Sequence, residues 1–246
     1  MIPANGQLAK FLNEPPFNGR SSFSGTFTFM SSLPVTVAAV RGLTNERSEF
    51  LMTALPMANL GAPTTGGIPV FPHVANGGGW TTEIVLVNPT DSALTGIIES
   101  SRPGVLQNNR PDNALIYSIP PRGSLKIQTY GGGASIQTSS IYLTSTGAVP
   151  FGMAILSLRN AGTTVTQAGI PAAAAGAAFQ LYAETSGDFN GGGSIQTGIA
   201  IASGLATPPP GVLTGFPVTI DLSNLDGSPT GPALCRSHLP NAPSSS

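Results

Sequence analysis

The stretch GGGWTTEIVLV, residues 77–87, decides the expected fold. Three consecutive glycines are unfavourable in a helix and suit a sharp change of chain direction. The residues that follow, 82–87, are mostly β-branched or apolar and form a run typical of a strand with one buried face. The stretch therefore predicts a glycine corner that leads into a β-strand.

Similar short runs recur along the chain, and turn signals separate them. The further predicted strands are residues 25–29, 34–37, 124–127, 140–143, 163–166 and 218–222. The turn signals are Asn76-Gly77, Pro103-Gly104, Asn190-Gly191 and Asp226-Gly227. This spacing is typical of antiparallel sheets. It predicts an all-β protein made of antiparallel β-sandwich repeats, immunoglobulin-like or jelly-roll-like, with two units.

The composition of the 246-residue chain agrees with this fold class. Its 31 glycines and 23 prolines are costly inside helices but suit the turns between short strands. Charged residues make up 9% of the chain, the net charge is −1 and the basic residues are scattered. No apolar run approaches the roughly 18 residues that span a bilayer. We therefore expect no nucleic-acid partner and no membrane insertion.

Internal similarity indicates how the chain is organised. Three pairs of segments resemble each other: 119–127 with 2–11, 150–159 with 34–41, and 77–87 with 191–201. The first pair shares Ile-Pro and a following glycine and leucine, the second differs in length by two residues, and the third is aligned on its triple glycines. Because residues 163–166 are strand-like, the stretch 49–53 that corresponds to them is predicted as strand, although Asn45 could also cap a helix over 45–55.

These pairs divide the chain into one complete unit and two complementary halves. Residues 71–171 form the complete β-sandwich unit, 172–246 repeat its first half and 1–70 repeat its second half. The Ala-rich residues 172–178 are predicted as a linker. The two halves could close a second sandwich within one chain, or pair with the halves of neighbouring copies by edge addition, which is head-to-tail and gives rings or filaments. The chain could also be an excerpt of a longer tandem array.

No constellation of residues predicts catalysis, a cofactor or a metal site. The two histidines, His73 and His238, are far apart, no Gly-x-Ser-x-Gly elbow occurs, and Cys235 is the single cysteine. His73 is predicted to pack at a strand start and His238 to be solvated. Residues 188–191 and 221–227 hold oxygen ligands near glycine, but they lack the EF-hand spacing and are predicted as ordinary Asx turns. The triplet Asn88-Pro89-Thr90 has proline in the middle, so we expect no glycan there.

Aromatic side chains are the candidates for carbohydrate binding on a sandwich. They are Trp80, Tyr130, Tyr142 and Tyr182. Core packing is the commoner role of such rings, and exposed rings would be needed to stack against a sugar.

Three motifs resemble repeats in large secreted proteins of soil bacteria, which accompany immunoglobulin-like domains. The motifs are residues 78–89, 45–51 and 194–198. The resemblance covers most of the chain to about Gly231, and residues 234–239 depart from the expected strand. It implies a β-sandwich and a secreted protein, but it supplies no catalytic residues. The first residues lack the basic and then apolar pattern of a signal peptide, so the expected extracellular or cell-surface location rests on composition and resemblance.

The sequence thus predicts an extracellular structural or assembly protein that is not an enzyme. Its expected partners are further copies of itself, joined head-to-tail into filaments, or neighbouring repeats. The alternative is a cell-surface module that binds carbohydrate or another partner.

Overall fold

The computed structural model describes residues 6–55, 57–60, 68–106, 113–189, 191–204, 217–230 and 235–238. The chain divides into two units, residues 1–204 and 205–246. Over the described ranges the secondary structure consists of fifteen strands and no helix, which confirms the predicted all-β class.

Thirteen described strands belong to the larger unit. They are β1 (Ala39–Thr44), β2 (Phe50–Leu55), β3 (Pro69–Asn76), β4 (Trp80–Val87), β5 (Leu94–Ser100), β6 (Ala114–Ile119), β7 (Ser124–Gln128), β8 (Gln137–Ser145), β9 (Phe151–Asn160), β10 (Thr163–Pro171), β11 (Ala173–Ala174), β12 (Thr185–Ser186) and β13 (Ile195–Gln196). The smaller unit contains β14 (Pro217–Ile220) and β15 (Cys235–His238), which pair antiparallel.

Two antiparallel sheets form the sandwich, and both take their strands from residues 69–174. One sheet has the order β10-β9-β4-β7 and the other has the order β11-β3-β8-β5-β6. The first and last strands of this region are neighbours, because β11 pairs with β3 through Ala173 opposite Val70 and Ala174 opposite Pro69. The hairpins β1-β2 and β12-β13 form separate two-stranded sheets.

The core lies between the two sheets and is built from branched aliphatic side chains with one phenylalanine. Its largest fully buried members are Phe71, Val74, Ile84, Leu86, Val105, Ile98, Ile119, Ile141 and Leu143. Along β4, buried residues alternate with half-buried ones from Thr82 to Val87, as the sequence predicts for one buried face. Burial of this apolar area is the main stabilising contribution to such a fold.

The predicted glycine corner connects β3 to β4. Gly77, Gly78 and Gly79 all have positive φ, at 80°, 59° and 87°, a conformation that residues with a Cβ rarely adopt. Immediately after the corner, the Thr82 hydroxyl accepts a hydrogen bond from the Ala75 N–H at 3.0 Å and donates to the Ala75 carbonyl at 2.8 Å. We call this reciprocal pair of bonds the Thr82 bridge, and it ties the two sides of the corner together.

A buried asparagine organises the loop that follows β4. The Nδ2 of Asn88 lies 2.7 Å, 3.2 Å and 2.9 Å from the carbonyl oxygens of Ser92, Ile119 and Pro120. Its Oδ1 accepts hydrogen bonds from the Thr90 N–H and hydroxyl, both at 2.8 Å. Asn88 is therefore a fully used donor and acceptor that joins the β4–β5 loop to the end of β6.

Gly96 lies on β5 at the point where the Tyr117 side chain of the neighbouring strand β6 crosses β5. The Tyr117 hydroxyl, on β6, donates to the Thr144 carbonyl on β8 at 2.9 Å and so reaches across Gly96 on β5. A Cβ on Gly96 would lie 1.9 Å from the Thr144 carbonyl oxygen and 2.6 Å from the Tyr117 hydroxyl oxygen. Tyr117 is buried, and this burial raises the pKa of its phenol.

Several strand predictions are correct and others are wrong. Residues 82–87, 124–127, 140–143, 163–166 and 49–53 fall in or almost wholly in β4, β7, β8, β10 and β2, so the helix considered for 45–55 is excluded. Residues 25–29 and 34–37 are not strands, because a strand is defined by a ladder partner and they have none in the described structure. Part of the predicted linker 172–178 is the edge strand β11, and residues 235–238 form β15 although a departure from strand was expected there. The assignment of 1–70 and 172–246 as complementary halves stays a prediction.

Candidate functional site

The hairpin β1-β2 packs beside β10, the edge strand of the four-stranded sheet. Thr53 of β2 is buried against the sandwich, and Leu51 and Leu55 on the same face are half-buried. A Cβ on Gly169 of β10 would lie 2.8 Å from the Ala54 carbonyl oxygen and 3.0 Å from the Thr53 hydroxyl oxygen. The absence of a side chain at Gly169 therefore allows the hairpin to approach the sheet closely.

The turn of this hairpin is hydrogen-bonded to the exposed edge of β10. Asn45 donates from Nδ2 to the Thr164 carbonyl at 3.0 Å, and Glu46 accepts at Oε2 from the Thr164 N–H at 2.8 Å. The other carboxylate oxygen of Glu46 lies 2.9 Å from a guanidinium nitrogen of Arg159. We call these three bonds the hairpin clamp. It satisfies one N–H and one C=O of an edge strand, groups that would otherwise invite another strand.

The shape of the turn depends on the same asparagine. The Asn45 Oδ1 accepts from the backbone N–H groups of Arg47 and Glu49, each at 2.9 Å, which is the local bonding that favours asparagine in turns. The Glu49 carboxylate also bonds Asn45 Nδ2 and the Arg47 guanidinium, and these two hydrogen bonds lower the pKa of Glu49.

The hairpin clamp is sensitive to acid. The hydrogen bond from the Thr164 N–H is the main reason why the pKa of Glu46 lies below its ordinary value of 4.5, and Arg159 adds to it. Because the pKa of Glu46 is lower in the folded state, the ionised clamp stabilises the fold above pH 4.5. This stabilisation is lost as the pH falls through the folded pKa.

We expect Glu46→Ala to loosen the hairpin at neutral pH. The Thr164 amide loses its acceptor, so it should exchange with deuterium faster than in the wild-type protein, by NMR or mass spectrometry. The difference should shrink below pH 4.5, where the wild-type carboxylate becomes protonated. Glu83→Gln is the control, because Glu83 on β4 forms its ion pair with Lys126 on β7 and takes no part in the hairpin clamp. Equal exchange of Thr164 in all three proteins at neutral pH would show that the clamp does not hold the hairpin.

The outward face of the hairpin exposes apolar side chains. Val40, Phe50 and Met52 are exposed by 57%, 54% and 64%. These three residues, which we call the hairpin face, alternate with the inward residues of their strands. Within the described residues β1 pairs only with β2, so its other edge carries no ladder.

A second glycine corner lies between β12 and β13. Its triple glycine ends with Gly193 at a φ of 79°. After it, the Thr197 hydroxyl accepts from the Glu184 N–H at 2.8 Å and donates to the Glu184 carbonyl at 2.8 Å. The chain then continues through Ile199 and Ile201, which are exposed by 51% and 45% and belong to no strand.

A groove lies between β6 and β7, the edge strands of the two sheets on the side opposite β10 and β11. Its volume is about 390 Å³, and its lining residues run from Leu115 to Ser118 and from Leu125 to Gln128. The Lys126 ammonium within it lies 2.8 Å from the Glu83 carboxylate. The groove is thus lined by polar and apolar groups in similar measure, and its lysine is already paired with a carboxylate.

The aromatic candidates separate into two groups. Trp80 is half-buried against the core, and Tyr142 is buried on the other face of β8, where its hydroxyl lies 3.2 Å from the Ser140 hydroxyl. Tyr130 and Tyr182 are exposed, and the Tyr182 hydroxyl donates to the Glu184 carboxylate. Two of the four candidate rings therefore remain accessible.

The histidines and acidic loops are not brought together into a metal site. His73 is half-buried where the β3–β8 register shifts between Phe71 and Val74, and the side chain of His238 lies outside the described residues. Asp226 accepts from the Ser228 N–H at 2.9 Å, which confirms an Asx turn, while Asn190 in the other loop is outside the described residues. In the described part of the chain, no three His, Cys, Asp or Glu residues cluster as metal ligands. No helix there is long and apolar enough to cross a membrane.

Comparison of the chain with protein-family models, with curated proteins and with solved structures found no match.

The residues of the hairpin clamp were not predicted as functional. In the sequence, residues 45–51 show a resemblance to other repeats and a possible helix cap at Asn45, and nothing in the spacing of Glu46 and Thr164, which are 118 residues apart, indicates their contact. The alternation of apolar residues at 195, 199 and 201 is the one sequence signal for the exposed segment after β13.

Proposed function

We propose that this chain is an extracellular structural module that assembles with further copies of itself through β-strand edges. One observation carries the proposal: residues 69–174 bury a core between two sheets, whereas the hairpin face and the segment after β13 leave large apolar side chains exposed beside backbone that has no ladder partner in the described structure. Exposed apolar side chains beside an open strand edge favour association with another strand. The extracellular location rests on composition and on the resemblance to secreted repeats.

The clamp at the hairpin turn supports this function by holding the hairpin in place. It blocks the edge of β10 at Thr164 and leaves the hairpin face turned outward. With 9% charged residues, the surface also has few charges to keep copies apart.

The mass of the protein in solution tests the proposal. We expect light scattering to give a weight-average mass above the 24.9 kDa of one chain, rising with concentration, and electron microscopy to show rings or filaments in the heavy fraction. Val40→Asp should shift the distribution toward the monomer, because it places a charge on the hairpin face.

The matched control for that variant is Ile116→Asp. Ile116 is exposed by 72% on the sandwich and lies away from the hairpin face, so its substitution should leave the mass distribution unchanged. Unfolding curves would verify that both variants keep the fold. A wild-type protein that stays monomeric at every concentration would refute self-assembly.

A cell-surface module that binds carbohydrate is the second candidate, and the exposed rings of Tyr130 and Tyr182 favour it. Exposed tyrosines can stack on sugar rings. Of the two candidates, this one would be preferred if the protein were strictly monomeric.

A further inference from the structure

The two glycine corners of the larger unit are closed by the same hydrogen-bond arrangement. In both corners a threonine hydroxyl accepts from and donates to the backbone of one residue that precedes the corner: Ala75, in β3, for Thr82 and Glu184, immediately before β12, for Thr197. The backbone pairing agrees, since Gly77 bridges Trp80 in the first corner and Ser186 pairs with Ile195 in the second. Thr197 therefore corresponds to Thr82, one residue away from the match that aligned glycines give.

By this correspondence, the isoleucines after β13 take the positions of residues on the buried face of β4. Counting from the two threonines, Ile199 corresponds to Ile84 and Ile201 to Leu86, both fully buried in the core. In β4 these residues lie opposite β9, with Thr82 paired to Leu156 and Ile84 paired to Ala154. The segment 197–202 has the side-chain order of β4, but among the described residues no strand lies in the place of β9.

The sequence counterpart of β9 lies before and within β1. Aligning Pro150 with Pro34 places Val40 at the position of Leu156 and Ala38 at the position of Ala154. Leu156 faces the core, and Val40 lies on the exposed hairpin face, as expected for a residue whose partner sheet is missing. The free edge of β1 is thus the counterpart of the β9 edge that pairs with β4.

We propose that residues 197–202 of one copy add as an antiparallel strand to residues 35–40 of a second copy. Transfer of the β4–β9 ladder pairs Thr197 with Val40, Ile199 with Ala38 and Ile201 with Thr36 across the contact. None of these twelve residues is charged, so the pairing buries no ion. This inference rests on the proposed self-assembly and specifies its strands and register.

The second copy is the partner because, in the described structure of one copy, residues 197–202 belong to no ladder and residues 35–40 have none on the edge that faces away from β2. Residues 35–40 and 197–202 belong to the same unit, yet in the described structure neither range has a pairing with the other. The two surfaces differ, so the contact is head-to-tail and continues from copy to copy.

Disulfide trapping between two single-cysteine variants tests the register. Val37→Cys and Ala200→Cys, each combined with Cys235→Ser, introduce one thiol at positions that the transferred ladder places opposite each other. Mixed under mild oxidation, they should give a disulfide-linked dimer of one copy of each variant, identified by mass spectrometry of the joined peptides. The control pair is Ala38→Cys with Ala200→Cys. A shift of one residue places the two side chains on opposite faces of the ladder. The control pair should therefore give at least about tenfold less mixed dimer than the Val37→Cys and Ala200→Cys pair.

The outcomes separate this inference from the proposed function. Larger wild-type assemblies without preferential trapping of the Val37→Cys and Ala200→Cys pair would overturn the register but leave self-assembly standing. A protein carrying Val37→Cys, Ala200→Cys and Cys235→Ser together that closes the bond within one monomer would show that the partner is the same chain, which overturns the inference. A wild-type protein that is monomeric at every concentration would refute both.

Discussion

Asn88→Asp should destabilise the sandwich strongly at neutral pH. The substitution keeps the size of the side chain but replaces the Nδ2 donor by a carboxylate oxygen that faces the carbonyls of Ser92, Ile119 and Pro120. An uncompensated buried charge of this kind costs about 3–5 kcal/mol. Unfolding in urea or guanidinium chloride at neutral pH measures the loss.

The same variant should recover part of its stability in acid. Burial beside three carbonyls raises the pKa of the new carboxyl above its ordinary value of about 3.9, so the folded state holds the proton to a higher pH than the unfolded state. The penalty is therefore absent below the unfolded pKa and grows as the pH rises. Asn13→Asp, at an exposed position, adds the same charge as a control. An equal small loss in both variants at neutral pH would contradict the role given to Asn88.

Gly96→Ala should be the most damaging single methyl addition in the sandwich. The new Cβ would lie 1.9 Å from the backbone oxygen of Thr144, and a backbone atom in a central strand cannot move without shifting the ladder. It would also displace the Tyr117 hydroxyl from its hydrogen bond to that oxygen. We expect a loss of about 3 kcal/mol, the upper part of the usual range for overpacking.

Gly147→Ala is the matched control for this variant. A Cβ at Gly147 meets nothing within 4 Å, so the change should lie within about 0.5 kcal/mol of wild type. Tyr117→Phe, which keeps the ring and removes the hydroxyl, should lose about 1 kcal/mol and so separates the hydrogen bond from the steric clash. If thermal unfolding gives Gly96→Ala the same stability as Gly147→Ala, then β5 tolerates a side chain at position 96.

Most of the strands that were predicted correctly have their partner strands in the sandwich. The glycine corner, β4, β7, β8 and β10 follow from local alternation and turn residues, because burial on one face leaves a period of two in the sequence. Residues 25–29 have an equally clear alternation but no ladder, since alternation reports that a face can be buried and not that a neighbour is present.

The contacts that position the hairpin could not be predicted from one sequence. Glu46 bonds Thr164 across 118 residues, and only the packing of β2 against Gly169 brings them together. The triple glycines were aligned by identity, whereas Thr82 and Thr197 correspond by hydrogen bonding, because the second corner is longer than the first. Sequence comparison therefore found the related corners but placed their strands one residue apart.

The pairing of β11 with β3 has a mechanical consequence. The chain comes into the sandwich at Pro69 and leaves it at Ala174, and these two residues lie opposite each other in the ladder. Tension along the chain would therefore peel β11 from β3 one hydrogen bond at a time, without shearing a long ladder. Because both ends of the sandwich lie together, the folded sandwich would add little to the length of a stretched chain until β11 separates from β3.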